Sequence, residues 1–271
     1  MTGTNPIIQN LLEANPLREP TLRSIIRELE LPRGSHGLDA GCGIGLQALL
    51  LAEAIGPDGK VYALDLMPEL LSYGKELVSK AGFGDRITFH AGDVNCLPFE
   101  SNSFDWAWSA DCIGYPAGDL MPSLQELMRV VKPGGSVILL GWSSQQLLPG
   151  YPLLEARLNA TCSAYNPFLN GKSPESNFMR ALGSFQRMDL NEIEAKTFVG
   201  NIQAPLNSGE RVALMSLFKM LWGEPQPEVS AEDWAEYTRL CTPGFPDFIL
   251  DIPDYYAFFT YSVFRGNVPE E

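Results

Sequence analysis

The sequence predicts an α/β fold with a mostly parallel sheet, and three observations support this prediction. Short apolar strands alternate with helical patterns between residues 36 and 142. A glycine-rich loop joins the first of these strands to the helix that follows it. Two further strand-like runs lie in the C-terminal half. Alternating strands and helices form right-handed crossovers, so we expect helices to cover both faces of the sheet.

The composition narrows the classes of function. The 271 residues include 19 Lys and Arg against 33 Asp and Glu, which gives a net charge of −14, and 45% are hydrophobic, enough for a full core. Nucleic acids and anionic membranes bind clusters of Lys and Arg. Because this chain is strongly acidic, neither is predicted as a partner. No apolar run approaches the ~20 residues of a membrane span, and the N-terminus does not resemble a secretory signal.

The cysteines indicate the compartment. There are five, Cys42, Cys96, Cys112, Cys162 and Cys241, widely spaced and without a C-x-x-C pair. This pattern predicts neither a disulfide framework nor a metal site, and it favours a reducing cytoplasm.

The predicted elements follow in chain order. Two short helical segments, Ile7–Leu12 and Thr21–Leu29, come first, the second entered through Pro20. The alternating region then predicts strands at 36–40, 60–66, 86–93, 103–111 and 136–142 and helices at 46–54, 68–81 and 120–131. Helical patterns follow at 153–160, 177–185, 209–222 and 231–240, and strand-like runs at 192–200 and 254–264.

We expect an N-terminal helical cover at 1–34, a core at 35–142, a lid insertion at 143–176, and the rest of the core at 177–271 with a helical insertion at about 203–252. Apolar side chains at 212, 215, 218, 221 and 222 form one helical stripe. The stripe suggests a cover over a hydrophobic small-molecule site. It is equally consistent with core packing or with the face of a homodimer.

The glycine-rich loop indicates the kind of ligand. A dinucleotide-binding loop that starts at Gly41 needs its third glycine at 46, where this chain has Leu46; the third glycine is Gly45. Asp39 precedes the loop and suits a ligand with a positive end. Asp65 ends the second strand, where a carboxylate can accept both ribose hydroxyls. Together they describe a nucleoside with a cationic end and no diphosphate, such as S-adenosylmethionine.

Five motifs carry a resemblance to a known family. LDAGCGIG, ALDL, AGDVNCLPF, FDWAWSAD and RVVKPGGSVILL, in this order, resemble the motifs of class I S-adenosylmethionine-dependent methyltransferases, most of all the small-molecule branch with quinone- and sterol-type enzymes. The resemblance covers roughly residues 35–142. It implies a Rossmann-like seven-stranded sheet ending in an antiparallel hairpin, with Glu192–Gly200 and Asp254–Phe264 as the last two strands. It also implies methyl transfer from S-adenosylmethionine to a small hydrophobic or aromatic acceptor.

The resemblance further implies which residues bind the cofactor. Those expected at the methionine end are Asp39, Gly41, Cys42, Gly43, Gly45, Ser109 and Ala110. Those expected at the ribose and adenine are Asp65, Leu66, Met67, Gly92, Asp93 and Val94.

Substrate-facing residues are expected after the fourth and fifth strands, where open α/β sheets bind ligands. Asp111 or Tyr115 is predicted to orient or deprotonate the acceptor, although a capping aspartate and a packing tyrosine explain them equally well. Trp142, Tyr151 and Tyr165 are further candidates for the substrate site. A general base is needed only when the acceptor is a weakly acidic hydroxyl or a carbon acid, so the sequence leaves the acceptor open.

Three alternatives are kept. The chain could be a non-catalytic S-adenosylmethionine-binding protein, or a nicotinamide-dependent oxidoreductase, against which Gly45 and Asp39 count. Methylation of trivalent arsenic is a third, suggested by Cys112 together with Cys42, Cys96 and Cys162.

Overall fold

The computed structural model describes residues 5–115, 117–160, 171–223 and 228–270. Its strands are β1 (His36–Ala40), β2 (Lys60–Asp65), β3 (Ile87–Ala91), β4 (Phe104–Ala110), β5 (Val131–Gln146), β6 (Asn191–Gln203) and β7 (Tyr256–Asn267). They form one seven-stranded sheet in the order β3-β2-β1-β4-β5-β7-β6. The predicted Rossmann-like fold is confirmed.

The α-helices of the described residues are α1 (Pro6–Glu28), α2 (Leu46–Ile55), α3 (Pro68–Lys80), α4 (Met121–Val130), α5 (Pro152–Ala160), α6 (Ala181–Arg187), α7 (Ser208–Trp222) and α8 (Ala231–Cys241). None of them is both long enough and apolar enough to cross a bilayer.

Strand direction places one edge of the sheet at the glycine-rich loop. β1 pairs in parallel with β2 and β4, β2 with β3, and β4 with β5. β7 is antiparallel to β5, because Ser136 contacts Asn267 while Ser143 contacts Thr260. It is likewise antiparallel to β6. The carboxyl ends of the five parallel strands therefore meet at a single edge, which is where ligands bind in this class of sheet.

The prediction of two separate N-terminal helices is wrong. A single helix, α1, spans Pro6–Glu28 with Pro16 and Pro20 inside it. Each proline removes one backbone donor and disfavours a helix interior. Buried apolar positions nevertheless continue on both sides of the prolines, from Ile8 to Ile26. The burial of this face outweighs the local cost.

The predicted start of the fifth strand is also wrong. β5 begins at Val131, so it includes the Lys-Pro-Gly-Gly segment that was expected to separate helix from strand. Phe104 pairs with Val131 but Trp106 pairs with Ser136, so the extra residues of β5 form a bulge. Gly134 supplies the positive φ of 75° that this bulge uses. β5 also continues four residues beyond Trp142, to Gln146.

Smaller differences concern the C-terminal elements. The helix expected at 177–185 is a 3₁₀ turn, Phe178–Arg180, followed by α6. The last two strands both extend three residues past their predicted ends, to Gln203 and Asn267.

The chain divides into two compact units. The larger comprises Leu22–Trp142, Ser173–Phe198 and Tyr261–Glu271, and its core packs side chains of β1, β4 and β5 with those of α4 and α6. The smaller comprises Met1–Thr21, Ser143–Lys172 and Val199–Thr260, and it includes α5, α7 and α8. The predicted domain boundaries and the role of the insertions as a lid stay predictions.

Candidate functional site

The loop between β1 and α2 is built by three glycines with positive φ: 84° at Gly41, 55° at Gly43 and 77° at Gly45. Such angles are common only for glycine. The N–H groups of Gly41 and Cys42 both donate to the carbonyl of Leu64, at 2.8 and 2.9 Å. The loop is therefore fastened to the end of β2.

Asp65 links this loop to the segment after β2. Its Oδ2 accepts from the N–H of Gly43 and its Oδ1 from the N–H of Met67, each at 2.9 Å. A carboxylate oxygen can accept more than one hydrogen bond, so Asp65 keeps capacity for ribose hydroxyls.

Asp39 is the most unusual group of the site. Its side chain is only 1% exposed, and its Oδ2 lacks a hydrogen-bond partner within the described residues. Burial, and then the nearby charge of Asp65, raise the pKa of Asp39 to about 8. A buried carboxylate without a partner is costly. A positively charged ligand group would relieve both the desolvation and the repulsion, so the site fits the cationic end of S-adenosylmethionine.

The segments after β2 and β3 provide an apolar surface next to polar groups. Leu66 is 69% exposed and Met67 36% exposed, so two adjacent apolar side chains offer a surface suited to packing against a base. The N–H of Gly92 donates to the carbonyl of Asp65 at 3.1 Å, which brings the two segments together. Asp93 Oδ1 accepts from the backbone and side chain of Asn95. The next residue after Asp93, Val94, is partly buried against the core.

Helix α4 holds the same segment, and sequence analysis missed the residues responsible. Glu126 Oε2 accepts from the N–H of Leu97 at 2.7 Å. Arg129 pairs with Glu126 and donates to the carbonyls of Leu97 and Phe99 at 3.0 and 2.8 Å. The spacing of Glu126 and Arg129, three residues apart on a helix, was the available signal.

The end of β4 faces the glycine-rich loop. Ser109 and Ala110 are buried, and Asp111 follows them with a positive φ of 50°. Asp111 Oδ1 accepts from the N–H of Trp142 at 2.8 Å, and its Oδ2 accepts from the hydroxyl of Tyr261 at 3.0 Å. Sequence analysis did not identify Tyr261.

The other substrate candidates are distributed differently. Tyr115 packs its ring edge-on against Phe178, with 5.8 Å between centroids, and lies over Gly141. Trp142 belongs to the same compact unit as Asp111, whereas Tyr151 belongs to the other, where it precedes α5 and hydrogen-bonds Arg239. Tyr165 and Cys162 lie outside the described residues.

Residues 38–135 match the family model described as "Methyltransferase domain". A demethylmenaquinone methyltransferase from Geobacillus kaustophilus is 38% identical over 130 residues, which cover 47% of this chain and 53% of that protein. The chain thus spans about half the length of this relative.

Two further comparisons cover more of the chain. A demethylmenaquinone methyltransferase from Bacillus cereus is 30% identical over 196 residues, which cover 67% of this chain and 81% of that protein. The crystal structure of a SAM-dependent methyltransferase from Aquifex aeolicus matches with a TM-score of 0.55 at 17% identity, over 98% of this chain and all of the other, and so supports the fold. The glycine-rich loop, the acidic ends of β1 and β2 and these relatives agree, and the chain belongs to the class I S-adenosylmethionine-dependent methyltransferases.

Proposed function

We propose that the protein transfers a methyl group from S-adenosylmethionine to a small, hydrophobic or aromatic acceptor. The observation that carries this proposal is the buried carboxylate oxygen of Asp39 beside the glycine-rich loop, which has no hydrogen-bond partner in the described part of the chain. When bound, S-adenosylmethionine supplies an electrophilic methyl group on a sulfonium. Asp39 would pair with the positive end of the ligand, Asp65 with the ribose, and Leu66 and Met67 with the adenine.

For the acceptor we propose a quinone-type aromatic ring, in line with the demethylmenaquinone methyltransferases that the chain resembles. Asp111 follows β4, and Trp142 lies in β5 four residues before its end, near the edge at which such sheets bind ligands. Both oxygens of Asp111 already accept hydrogen bonds from the chain. We therefore assign Asp111 to orienting the site rather than to removing a proton. Positioning of the two reactants alone can lower the activation barrier by about 7–11 kcal/mol.

Two measurements test the proposal. Titration calorimetry should show saturable binding of S-adenosylhomocysteine, weakened about tenfold or more in Asp39→Asn, since a charge-paired contact is worth ~1.5–3 kcal/mol. The exposed Asp85→Asn should bind as the wild type does. The protein should then catalyse the transfer of labelled methyl groups from S-adenosylmethionine to a demethylated naphthoquinol. Absence of binding would refute the proposal as a whole.

The alternatives give different outcomes in the same measurements. A binding protein without activity would take up the nucleoside yet transfer no label to any acceptor. An oxidoreductase would bind NADH instead. For arsenic methylation the thiols are unfavourable, since burial, followed by the charges of Asp65 and Asp39, raises the pKa of Cys112 to about 11. Burial also raises the pKa of the Cys42 thiol.

We also propose that the protein is located in a reducing cytoplasm. The four cysteines among the described residues support this location, because they are free thiols. Whether the protein forms a homodimer can be measured by sedimentation at several concentrations.

A further inference from the structure

Tyr261 is a fully buried tyrosine on β7 that reaches the end of β4. It is 0% exposed, its hydroxyl donates to Asp111 Oδ2 at 3.0 Å, and its ring packs edge-on against Trp142 with 5.9 Å between centroids. The backbone N–H of Trp142 completes the arrangement by donating to Asp111 Oδ1 at 2.8 Å. One carboxylate thus joins β4, β5 and β7.

The backbone of Asp111 needs this support. Its φ of 50° lies in the left-handed region of the backbone. Residues other than glycine adopt this region rarely, and among them asparagine and aspartate do so most readily. Asp111 also donates its own N–H to the carbonyl of Leu140 at 2.9 Å. Three hydrogen bonds therefore hold a turn that the backbone would not favour on its own.

The turn at Asp111 directs the next side chain onto the glycine-rich loop. A Cβ added to Gly41 would lie 2.3 Å from Cys112 Sγ and 2.6 Å from Cys112 Cβ. The Cys112 side chain therefore occupies the space above the Gly41 backbone. A change in the direction of the chain at Asp111 would move Cys112 and remove the packing that covers Gly41.

We infer that Tyr261 is a positioning residue for the cofactor loop, which acts through the carboxylate of Asp111 and the side chain of Cys112. This inference rests on the proposed function, because the loop is the proposed binding site for the methionine end of S-adenosylmethionine. According to this inference, β7 contributes to the affinity for the cofactor, although it is remote in sequence from the glycine-rich loop.

The test is Tyr261→Phe, with Tyr255→Phe as a matched control. Tyr255 is also buried, at 1% exposure, but its hydroxyl donates to the carbonyl of Leu147, at 3.0 Å, and not to a carboxylate. Tyr261→Phe should raise the Kd for S-adenosylhomocysteine about three- to tenfold. This change corresponds to a part of the free energy of a hydrogen bond to a charged group. Tyr255→Phe should leave that Kd unchanged.

Hydrogen exchange in the ligand-free protein gives a second readout that does not depend on binding. Tyr261→Phe should speed exchange at the N–H groups of Trp142, Gly41 and Cys42, but not at Val61 in the neighbouring strand β2. An unchanged Kd together with unchanged exchange at these amides would overturn the inference. If wild-type protein bound no S-adenosylhomocysteine, the proposed function would fail, while the exchange data would still decide whether Tyr261 holds the loop.

Two variants of Asp111 keep the inference testable if Tyr261→Phe does not fold. Asp111→Asn retains an oxygen acceptor and tolerates a positive φ, whereas Asp111→Ala loses both properties. Asp111→Ala should therefore weaken binding and speed exchange more than Asp111→Asn does. Wild-type binding and wild-type exchange in both variants would contradict a role for the carboxylate.

Discussion

Three aspartates at the ends of three strands show how much a side chain depends on its partners. Asp65 accepts from two backbone N–H groups, and Asp111 accepts from a backbone N–H and a tyrosine hydroxyl. Asp39 has one oxygen without a partner among the residues that the structure describes. All three share the same chemical group. Their different partners make one a link between loops, one a support for a turn, and one the proposed site for a positive charge.

The raised pKa of Asp39 predicts a pH dependence of stability. The folded state keeps its proton up to about pH 8, while the unfolded state releases it near pH 4. The free energy of unfolding should therefore fall as the pH rises from 4 to 8, by at most about 1.4 kcal/mol per pH unit from this group. Asp39→Asn should remove that slope, so thermal unfolding at pH 8 should occur at a higher temperature than in the wild type, without ligand.

Asp105→Asn provides the control for this slope. Burial tends to raise the pKa of Asp105, but hydrogen bonds from Lys132 and from the N–H of His36 outweigh burial and lower it. Its contribution to stability is present at neutral pH and is lost as the solution becomes acidic. Asp105→Asn should therefore alter only the acid limb. A slope between pH 5 and 8 that survives in Asp39→Asn would show that other groups cause it.

Individual site residues were predictable where the backbone itself carries the signal. Gly41, Gly43 and Gly45 stand out in the sequence because few other residues adopt their φ angles. Tyr261 gave no such signal, since its role depends on a hydrogen bond across 150 positions of sequence to Asp111. Contacts of that kind become visible only when the order of the strands is known.

At the scale of elements, α4 both packs on the sheet and holds the segment after β3. Leu124 and Leu127 of this helix are fully buried, while Glu126 and Arg129 hold the backbone at Leu97 and Phe99. One helix thus supports the core with one face and the proposed adenine site with another.

Glu126→Ala should loosen that segment. Removing the acceptor leaves the N–H of Leu97 without its bond and Arg129 without its carboxylate, a loss of about 1–3 kcal/mol in stability. We expect faster hydrogen exchange at Leu97 and weaker binding of S-adenosylhomocysteine. Gln125→Ala, an exposed change on the same helix, should affect neither. Unaltered exchange at Leu97 in Glu126→Ala would show that other contacts hold the segment.

The elements that the sequence predicted least well are those in which packing overrides local preference. Two prolines indicated a break in α1, and Pro133 with two glycines indicated a loop before β5. In α1 a continuous buried face maintains the helix. In β5 the glycines form a bulge whose backbone bonds to Val268 after β7, at 2.9 and 2.8 Å. Neither compensation can be read from neighbouring residues.

At the scale of the whole molecule, three strands belong to both compact units. β5, β6 and β7 each pass from one unit to the other without a break. Unfolding of either unit would therefore disrupt strands that the other unit needs. We expect one cooperative transition rather than two.

Ligand binding tests this cooperativity. S-adenosylhomocysteine at 100 times its Kd should stabilise the folded state by about 2.7 kcal/mol, which corresponds to roughly 5–10 °C in Tm for a chain of this size. Circular dichroism and tryptophan fluorescence should report the same shifted midpoint. Two transitions, only one of them sensitive to the ligand, would show that the units unfold independently.

The long stretch between β6 and β7 begins and ends at adjacent positions. The N–H of Ala204 donates to the carbonyl of Tyr255 at 2.9 Å, so the residues between them leave and rejoin the sheet at neighbouring points. Such an arrangement is a hairpin whose turn has been enlarged to hold two helices, α7 and α8. Its length and sequence can therefore change without shifting the register of the strands that flank it, so this stretch is open to remodelling by evolution or engineering.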